Sequence, residues 1–525
     1  MKRAIGFIIL TVMIYSLGCG GGSTHYPLPP ADAKADGWVS EARPFEIGSE
    51  KYEADFGTIT VPENRSQSTS RLISIPFIRI HSRSKNPAEP VFGLAGGPGA
   101  SNMSWGWGKA QTFLSERDFV LVGYRGVDGS IVLNCPEMKK AFKGKGDLLG
   151  EESMKTIGSA WSACAERLKA KGVDFNGYSI PEVIEDNESV RRALGYERIN
   201  LLSESYGTRV AYLYGLKHPE HIFRSAMISV NPPGHFVWEP RVVDAQLRHY
   251  AALWSKDSVA SSKSADLYAT MRTVLTAMPR RWLVFPINAG KVKLVTFAML
   301  FHRQTAAMVF DAYAAAGNGD PSGLALMSLA YDFIVPPMMT SGDLGSKAIG
   351  ADYDSTRNYC ADMDPPDLPL GSPMSKIAWC PQSYGGWPSA RLPEEFRKLK
   401  PSNVETLLLS GSIDFSTPAE FATKELLPVL KNGRQVIFSE CGHVNDMWYA
   451  NVENTRLILT SFYKTGVADT SKNAKILMDF SVKRSFPTMA KMALGIMAFV
   501  AAALIAVLVW LVRKLWKRKG LKRVV

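Results

Sequence analysis

The chain has 525 residues, 46% of them hydrophobic, and a formal net charge of +12, enough apolar material for one large buried core. The charge does not point to nucleic acid: the last 13 residues hold seven Lys or Arg and no acid, and Lys2 and Arg3 add two more. About +3 remains over the rest, ordinary for a soluble domain.

Met1-Lys2-Arg3, the apolar run Ile5 to Leu17 and then Gly18-Cys19 predict a secretory signal over residues 1–19, short for a membrane span. Gly18-Cys19 also resembles a bacterial lipoprotein cleavage site, which makes Cys19 a lipidation candidate. Ser16 stands where such sites carry an aliphatic residue, and plain cleavage nearby is the alternative. Residues 20–45, with Pro27, Pro29 and Pro30 among small and polar residues, read as a linker.

Phe56 to Val61 and Leu72 to Ile80 alternate as strands, with a hairpin about Asn64-Arg65-Ser66. Val91 to Ala95 is a buried strand running into Gly96-Gly97-Pro98-Gly99-Ala100-Ser101. Its glycines would let backbone N–H groups approach a substrate oxygen, with Gly97 the first donor of an oxyanion hole and Gly96 the neighbour it could be confused with. A phosphate cradle is the other use of such a loop, but no Lys-Ser or Lys-Thr follows and Pro98 removes a donor. Phe119 to Tyr124 is the next strand, and its terminal loop, with Arg125 and Asp128, is expected to brace the glycine loop.

Ile199-Asn200-Leu201-Leu202 precedes Ser203-Glu204-Ser205-Tyr206-Gly207, and a helical pattern from Thr208 follows. A serine on a strand-to-helix corner is a nucleophile elbow, which needs small residues two places either side so that strand and helix can cross. Ser203 and Gly207 occupy those places, and the Tyr206 N–H becomes the second oxyanion donor. Ser225 to Val230 is a further strand. From residue 231 to about 400 the strand–helix rhythm gives way to helical patterns such as Thr305 to Ala315 and Gly323 to Ile334, broken by Pro336-Pro337 and Pro365-Pro366. An insertion there predicts a helical cap over the site.

The strand Thr406 to Leu409 leads into Ser410-Gly411-Ser412-Ile413-Asp414, and the strand Gln435 to Phe438 leads into Cys441-Gly442-His443. Ser, Asp, His in that order, each just after a strand, is the order of an α/β-hydrolase triad. Ser205 attacks a carbonyl, His443 carries the proton and Asp414 fixes the imidazole tautomer. No cofactor is implied, and no zinc-ligand spacing is evident.

Met492 to Val512 carries no charge over 21 residues, about 31 Å of helix and enough to cross a bilayer. The basic residues behind it place that end in the cytoplasm by the positive-inside rule, so the rest lies outside. Of the cysteines, Cys135 with Cys164 and Cys360 with Cys380 are the nearest pairs, although four cysteines allow three pairings; Cys441 reads as a small buried hydrophobe.

Gly96 to Ser101, Tyr124-Arg125-Gly126-Val127-Asp128-Gly129-Ser130, Ser205-Tyr206-Gly207-Thr208, Gly411 to Asp414 with Thr417-Pro418, and Gly442-His443 together resemble the prolyl and tripeptidyl aminopeptidase group of α/β-hydrolase serine peptidases, over roughly residues 50 to 465. Ala95, Gly123-Tyr124 and Ser203 depart from that pattern, where His, Asp-Gln and Gly are usual. The resemblance implies an α/β-hydrolase fold, mostly parallel in its central sheet. Its core would span 46–230 and 401–468, with a cap over 231–400, a linker over 469–491, a membrane helix over 492–512 and a basic tail over 513–525. It also implies a short peptide as substrate, held by carboxylates facing its free ammonium, for which Glu204 and Glu239 are candidates. The expected protein is an exported aminopeptidase, single-pass in a bacterial cell membrane. The alternatives are a carboxylic-ester hydrolase using the same triad and a non-catalytic envelope ligand-binding domain.

Overall fold

The computed structural model describes residues 26–143, 146–388 and 391–521. The proposed signal and Cys19 lie outside them. The first half of the chain builds β1 (Trp38–Ile47), β2 (Glu50–Pro62), β3 (Leu72–Ile80), β4 (Ala88–Leu94) and β5 (Arg117–Val122). The short pair β6 (Arg125–Gly126) and β7 (Asp128–Val132) follows, then helices α1 (Pro136–Ala141), α2 (Glu151–Ala170) and α3 (Ile180–Ala193). Next come β8 (Ile199–Glu204), α4 (Tyr206–Lys217) and β9 (Ile222–Ile228).

The cap contains α5 (Pro240–Trp254), α6 (Leu267–Thr276), the hairpin β10 (Arg281–Trp282) and β11 (Phe285–Pro286), α7 (Ala289–Met299), α8 (Arg303–Gly317), α9 (Ser322–Met338) and α10 (Pro373–Trp379). The chain returns to the sheet with β12 (Glu405–Gly411) and β13 (Gly433–Phe438), then α11 (Asn445–Ala450), α12 (Val452–Thr465) and finally α13 (Phe486–Leu521).

The main sheet runs β1-β2-β3-β5-β4-β8-β9-β12-β13. Pairings from β1 through β3 to β5 are antiparallel, and those from β5 onward are parallel. Every residue of β5 and β8 is buried, as expected of central strands covered on both faces. β1 is exposed over nearly its whole length, as an edge strand. It takes up the end of the segment expected to be linker, from Trp38 on: Trp38 to Ile47 pair residue by residue with β2 as a hairpin that local Pro and Gly content does not reveal.

The chain leaves β4 toward β5 on one side and returns to β8 on the other. The carboxyl ends of β4 and β8 therefore meet at the point where strand order reverses, where open α/β sheets place ligands.

Two local expectations change. Pro336 and Pro337 do not break α9 but sit inside its last turn, where the two N–H bonds they remove lie at the end of the helix and no further turn has to continue past them. Residues 469–485 are not a free tether: Met478 and Phe480 are buried, and Phe480 packs on Trp254 and Phe310 at 5.2 and 6.3 Å between centroids. The structure joins Cys135 to Cys164 and Cys360 to Cys380, and leaves Cys441 reduced and buried. Among the described residues, one helix, Phe486 to Trp516, is long and apolar enough to cross a membrane.

Candidate active site

Ser205 lies between β8 and α4 with φ 52° and ψ −120°, a conformation that costs a non-glycine residue about 1–3 kcal/mol and must be held by its surroundings. Its N–H donates to the Ile228 carbonyl at 2.9 Å, and its own carbonyl accepts from the Thr208 N–H and hydroxyl. A Cβ on Gly207 would stand 2.1 Å from the Leu94 carbonyl oxygen, so only glycine lets α4 cross the end of β4. Ser203, where glycine is usual, is tolerated because its buried hydroxyl donates to the Ala226 carbonyl at 3.2 Å.

Asp414 is fully buried beyond β12 and accepts from the Ser416 N–H at 2.9 Å, the Thr417 N–H at 2.8 Å and the Thr417 hydroxyl at 2.8 Å. His443 Nδ1 faces its two oxygens at 3.1 and 3.0 Å. Burial alone would push this carboxyl up, but the neighbouring His443 and the hydrogen bonds from His443 and Thr417 outweigh it and hold the group below its ordinary value. An ionised Asp414 requires the proton on Nδ1, which leaves Nε2 with the lone pair a general base needs.

The histidine loop is pinned from two sides. The His443 N–H donates to the carbonyl of cap residue Phe301 at 2.7 Å, and the Phe301 ring lies 5.5 Å from the imidazole. The Val444 N–H donates to the Ser229 hydroxyl at 2.8 Å. Ile228 and Ser229, adjacent at the end of β9, thus hold the Ser205 corner and the histidine loop respectively.

The glycine loop reaches the same place. A Cβ on Gly96 would stand 3.2 Å from Ser205 Cβ and 3.8 Å from its hydroxyl oxygen, so Gly96 is the residue against Ser205 and Gly97, at φ 136°, is one step beyond. Tyr206 is the first residue of α4, and its N–H belongs to the set with no partner inside the helix. The expected brace comes from Asp128: it accepts from the Ser101 hydroxyl at 2.6 Å and the N–H groups of Asn102 and Tyr124 at 3.0 and 2.9 Å. Burial raises its carboxyl above the usual range despite those bonds. Arg125, expected to share this task, instead binds Asp186 and the carbonyls of Glu63 and Gly177. Asn102, which sequence reading passed over, completes the brace by accepting from the Ala95 N–H and donating to the Gly93 and Val122 carbonyls.

Both acids expected to face a substrate ammonium already have internal cations. Glu204 is buried and accepts from Lys109 Nζ at 2.7 and 3.0 Å, Trp105 Nε1 at 2.7 Å and Trp448 Nε1 at 2.5 Å. Glu239, just before α5, pairs in bidentate fashion with Arg357 at 2.6 and 2.8 Å. Among the described residues, Glu188, His218 and His221 bring metal-ligating atoms within 4.8 Å of one another, about 18 Å along α4 from Ser205. Glu188 there is already committed to Arg191 and Tyr214.

Residues 89–448 match the alpha/beta hydrolase fold family. The chain is 26% identical over 260 residues to a tripeptidyl aminopeptidase of Streptomyces lividans, covering 45% of this chain and 46% of that protein. It is 25% identical over 257 residues to one of Streptomyces coelicolor, with the same coverage. The chain thus spans about half the length of the curated relatives it matches. Among solved structures, a serine hydrolase from the polyaromatic-hydrocarbon-degrading bacterium Cycloclasticus zankles is similar at 13% identity and TM-score 0.36, covering 79% of this chain and all of that one.

Proposed function

Because the chain belongs to the α/β-hydrolase family, we propose that it is a serine hydrolase tethered to a membrane by α13, and that it releases residues from the N-terminus of short peptides. The observation that carries this reading is the buried Asp414 held against His443 Nδ1, on the same sheet edge as the strained Ser205 corner. In this mechanism His443 Nε2 removes the Ser205 proton as the hydroxyl oxygen attacks the scissile carbonyl. The N–H groups of Gly97 and Tyr206 receive the oxyanion. The same imidazole then protonates the leaving amine, and water repeats the sequence on the acyl-enzyme. The aminopeptidase activity is suggested by the name of the Streptomyces relatives.

A second reading, hydrolysis of carboxylic esters, is favoured by the internal pairing of Glu204 and Glu239, which leaves neither free for an ammonium. Matched short-peptide anilides with free and acetylated N-termini, together with a simple ester, separate the two, with Ser205→Ala as the blank. Cleavage of the free-amine series alone, lost in the variant, is the expected result. Cleavage of only the ester would replace the peptidase with the esterase.

A further inference from the structure

α13 is docked to the cap before it turns apolar. Phe486 and Ala490 are buried, a Cβ on Gly323 of α9 would come 3.0 Å from the Pro487 ring, and Lys491 pairs with Asp320 at 2.7 Å. At the next residue, Met492, the exposed apolar run begins. α9 therefore lies beside the anchor where the anchor would enter a bilayer.

A second apolar element sits on the same helix. The β10–β11 hairpin packs on α9 and is followed by Asn288, whose N–H donates to the Ser328 hydroxyl at 3.0 Å, five residues from Gly323 or about 8 Å along the axis. Its tip, Leu283 and Val284, is 58% and 85% exposed and covers nothing in the fold. Behind the tip, Trp282 and Phe285 stack at 5.8 Å, and Arg280 and Arg281 precede them, exposed.

The surroundings are basic. Phe142, just after α1, accepts from the Tyr331 hydroxyl of α9 at 3.1 Å, and the exposed Lys139, Lys140 and Lys143 belong to that segment. Among the described residues none of these five cations forms a salt bridge, whereas Asp332, on the same stretch of α9, is paired with Lys291 at 2.5 Å. Aliphatic residues at a tip, aromatic rings behind them and unpaired cations around them make the pattern of an element seated at a membrane interface.

We propose that the Leu283–Val284 tip inserts into the bilayer interface next to α13, with Arg280, Arg281 and the lysines of the α1 segment against anionic lipid headgroups. This rests on α13 spanning the membrane. A two-point attachment would fix how the cap faces the lipid, which one helix alone does not do.

The test uses the full chain in phosphatidylcholine vesicles with and without phosphatidylglycerol, an environment-sensitive fluorophore on a cysteine at Val284→Cys, and nitroxide-labelled lipid as quencher. Val259→Cys, on an exposed cap position of 67%, reports the water-facing cap, and Val507→Cys reports the span. The labelled unsubstituted chain gives the background. Quenching at position 284 and not at 259 is expected. Adding Arg280→Gln or Arg281→Gln should weaken the lipid contact about fivefold each in the anionic vesicles. Quenching at 507 without quenching at 284 would overturn the hairpin contact alone. A label at 284 that is shielded from water yet not quenched by lipid would assign the tip to a protein partner and also overturn it. Loss of quenching at 507 would remove the membrane reading and the hairpin contact with it.

Discussion

Asp414 and Glu204 are both buried carboxylates within the active-site region, and each is saturated with donors, yet their partners differ in kind. Asp414 faces an imidazole, which can gain and lose a proton, and otherwise neutral donors from Ser416 and Thr417. Glu204 faces an ammonium and two indoles. A carboxylate opposite a group that changes charge can stabilise the charge as it appears in a reaction. One opposite a fixed cation contributes to the architecture, and its removal strands the cation.

The contrast makes separable predictions. Asp414→Asn is expected to lower kcat about 10⁴-fold, roughly 5 kcal/mol of barrier, because the amide presents a donor to Nδ1 and favours the wrong tautomer. Steady-state kinetics on the best substrate, with circular dichroism to confirm folding, would check it; an effect on stability larger than that on kcat would erase the distinction from Glu204. Glu204→Gln is expected to destabilise the fold by about 3–5 kcal/mol, read in urea unfolding of the full chain in detergent, because Lys109 is left buried without its counter-charge. Its kcat per folded molecule should change far less than in Asp414→Asn. Adding Lys109→Met to that variant should recover about 1–3 kcal/mol, since the uncompensated charge goes with the lysine; no recovery would mean that the ammonium is already satisfied elsewhere.

The smallest effect concerns pH. Asp414 is held below its ordinary value, so its contribution to stability is present above about pH 4 and disappears as the pH falls through the depressed folded value. The difference in melting temperature between the parent and Asp414→Asn should therefore narrow on going from neutral to strongly acidic solution.

Polar residues placed at strand ends were the most legible in the sequence, because each announces itself locally: an apolar run, a turn, then a polar side chain. Ser205, Asp414 and His443 are all of this type, and the strands before them appear where the apolar runs are. Glu204 was less legible because its meaning depends on Lys109 and Trp448, separated from it by 95 and 244 residues. No periodicity encodes such a pairing. Asn102 was missed for the same reason, since it joins two strand ends through backbone groups that any sequence would supply. The edge strand β1 was hidden by a different effect, with solvent on most of its side chains and its order supplied by β2.

The adjacent attachments at Ile228 and Ser229 bear on how the site tolerates motion. With the Ser205 corner and the histidine loop hung from neighbouring residues at the end of one strand, a displacement of β9 carries both together. Such a disturbance is common to Ser205 and His443, the two groups proposed to react, and cancels in their separation, as noise shared by two inputs cancels in a differential amplifier. Motion of the cap falls outside that cancellation, because the cap holds the His443 N–H through the Phe301 carbonyl and so reaches the histidine loop without the Ser205 corner.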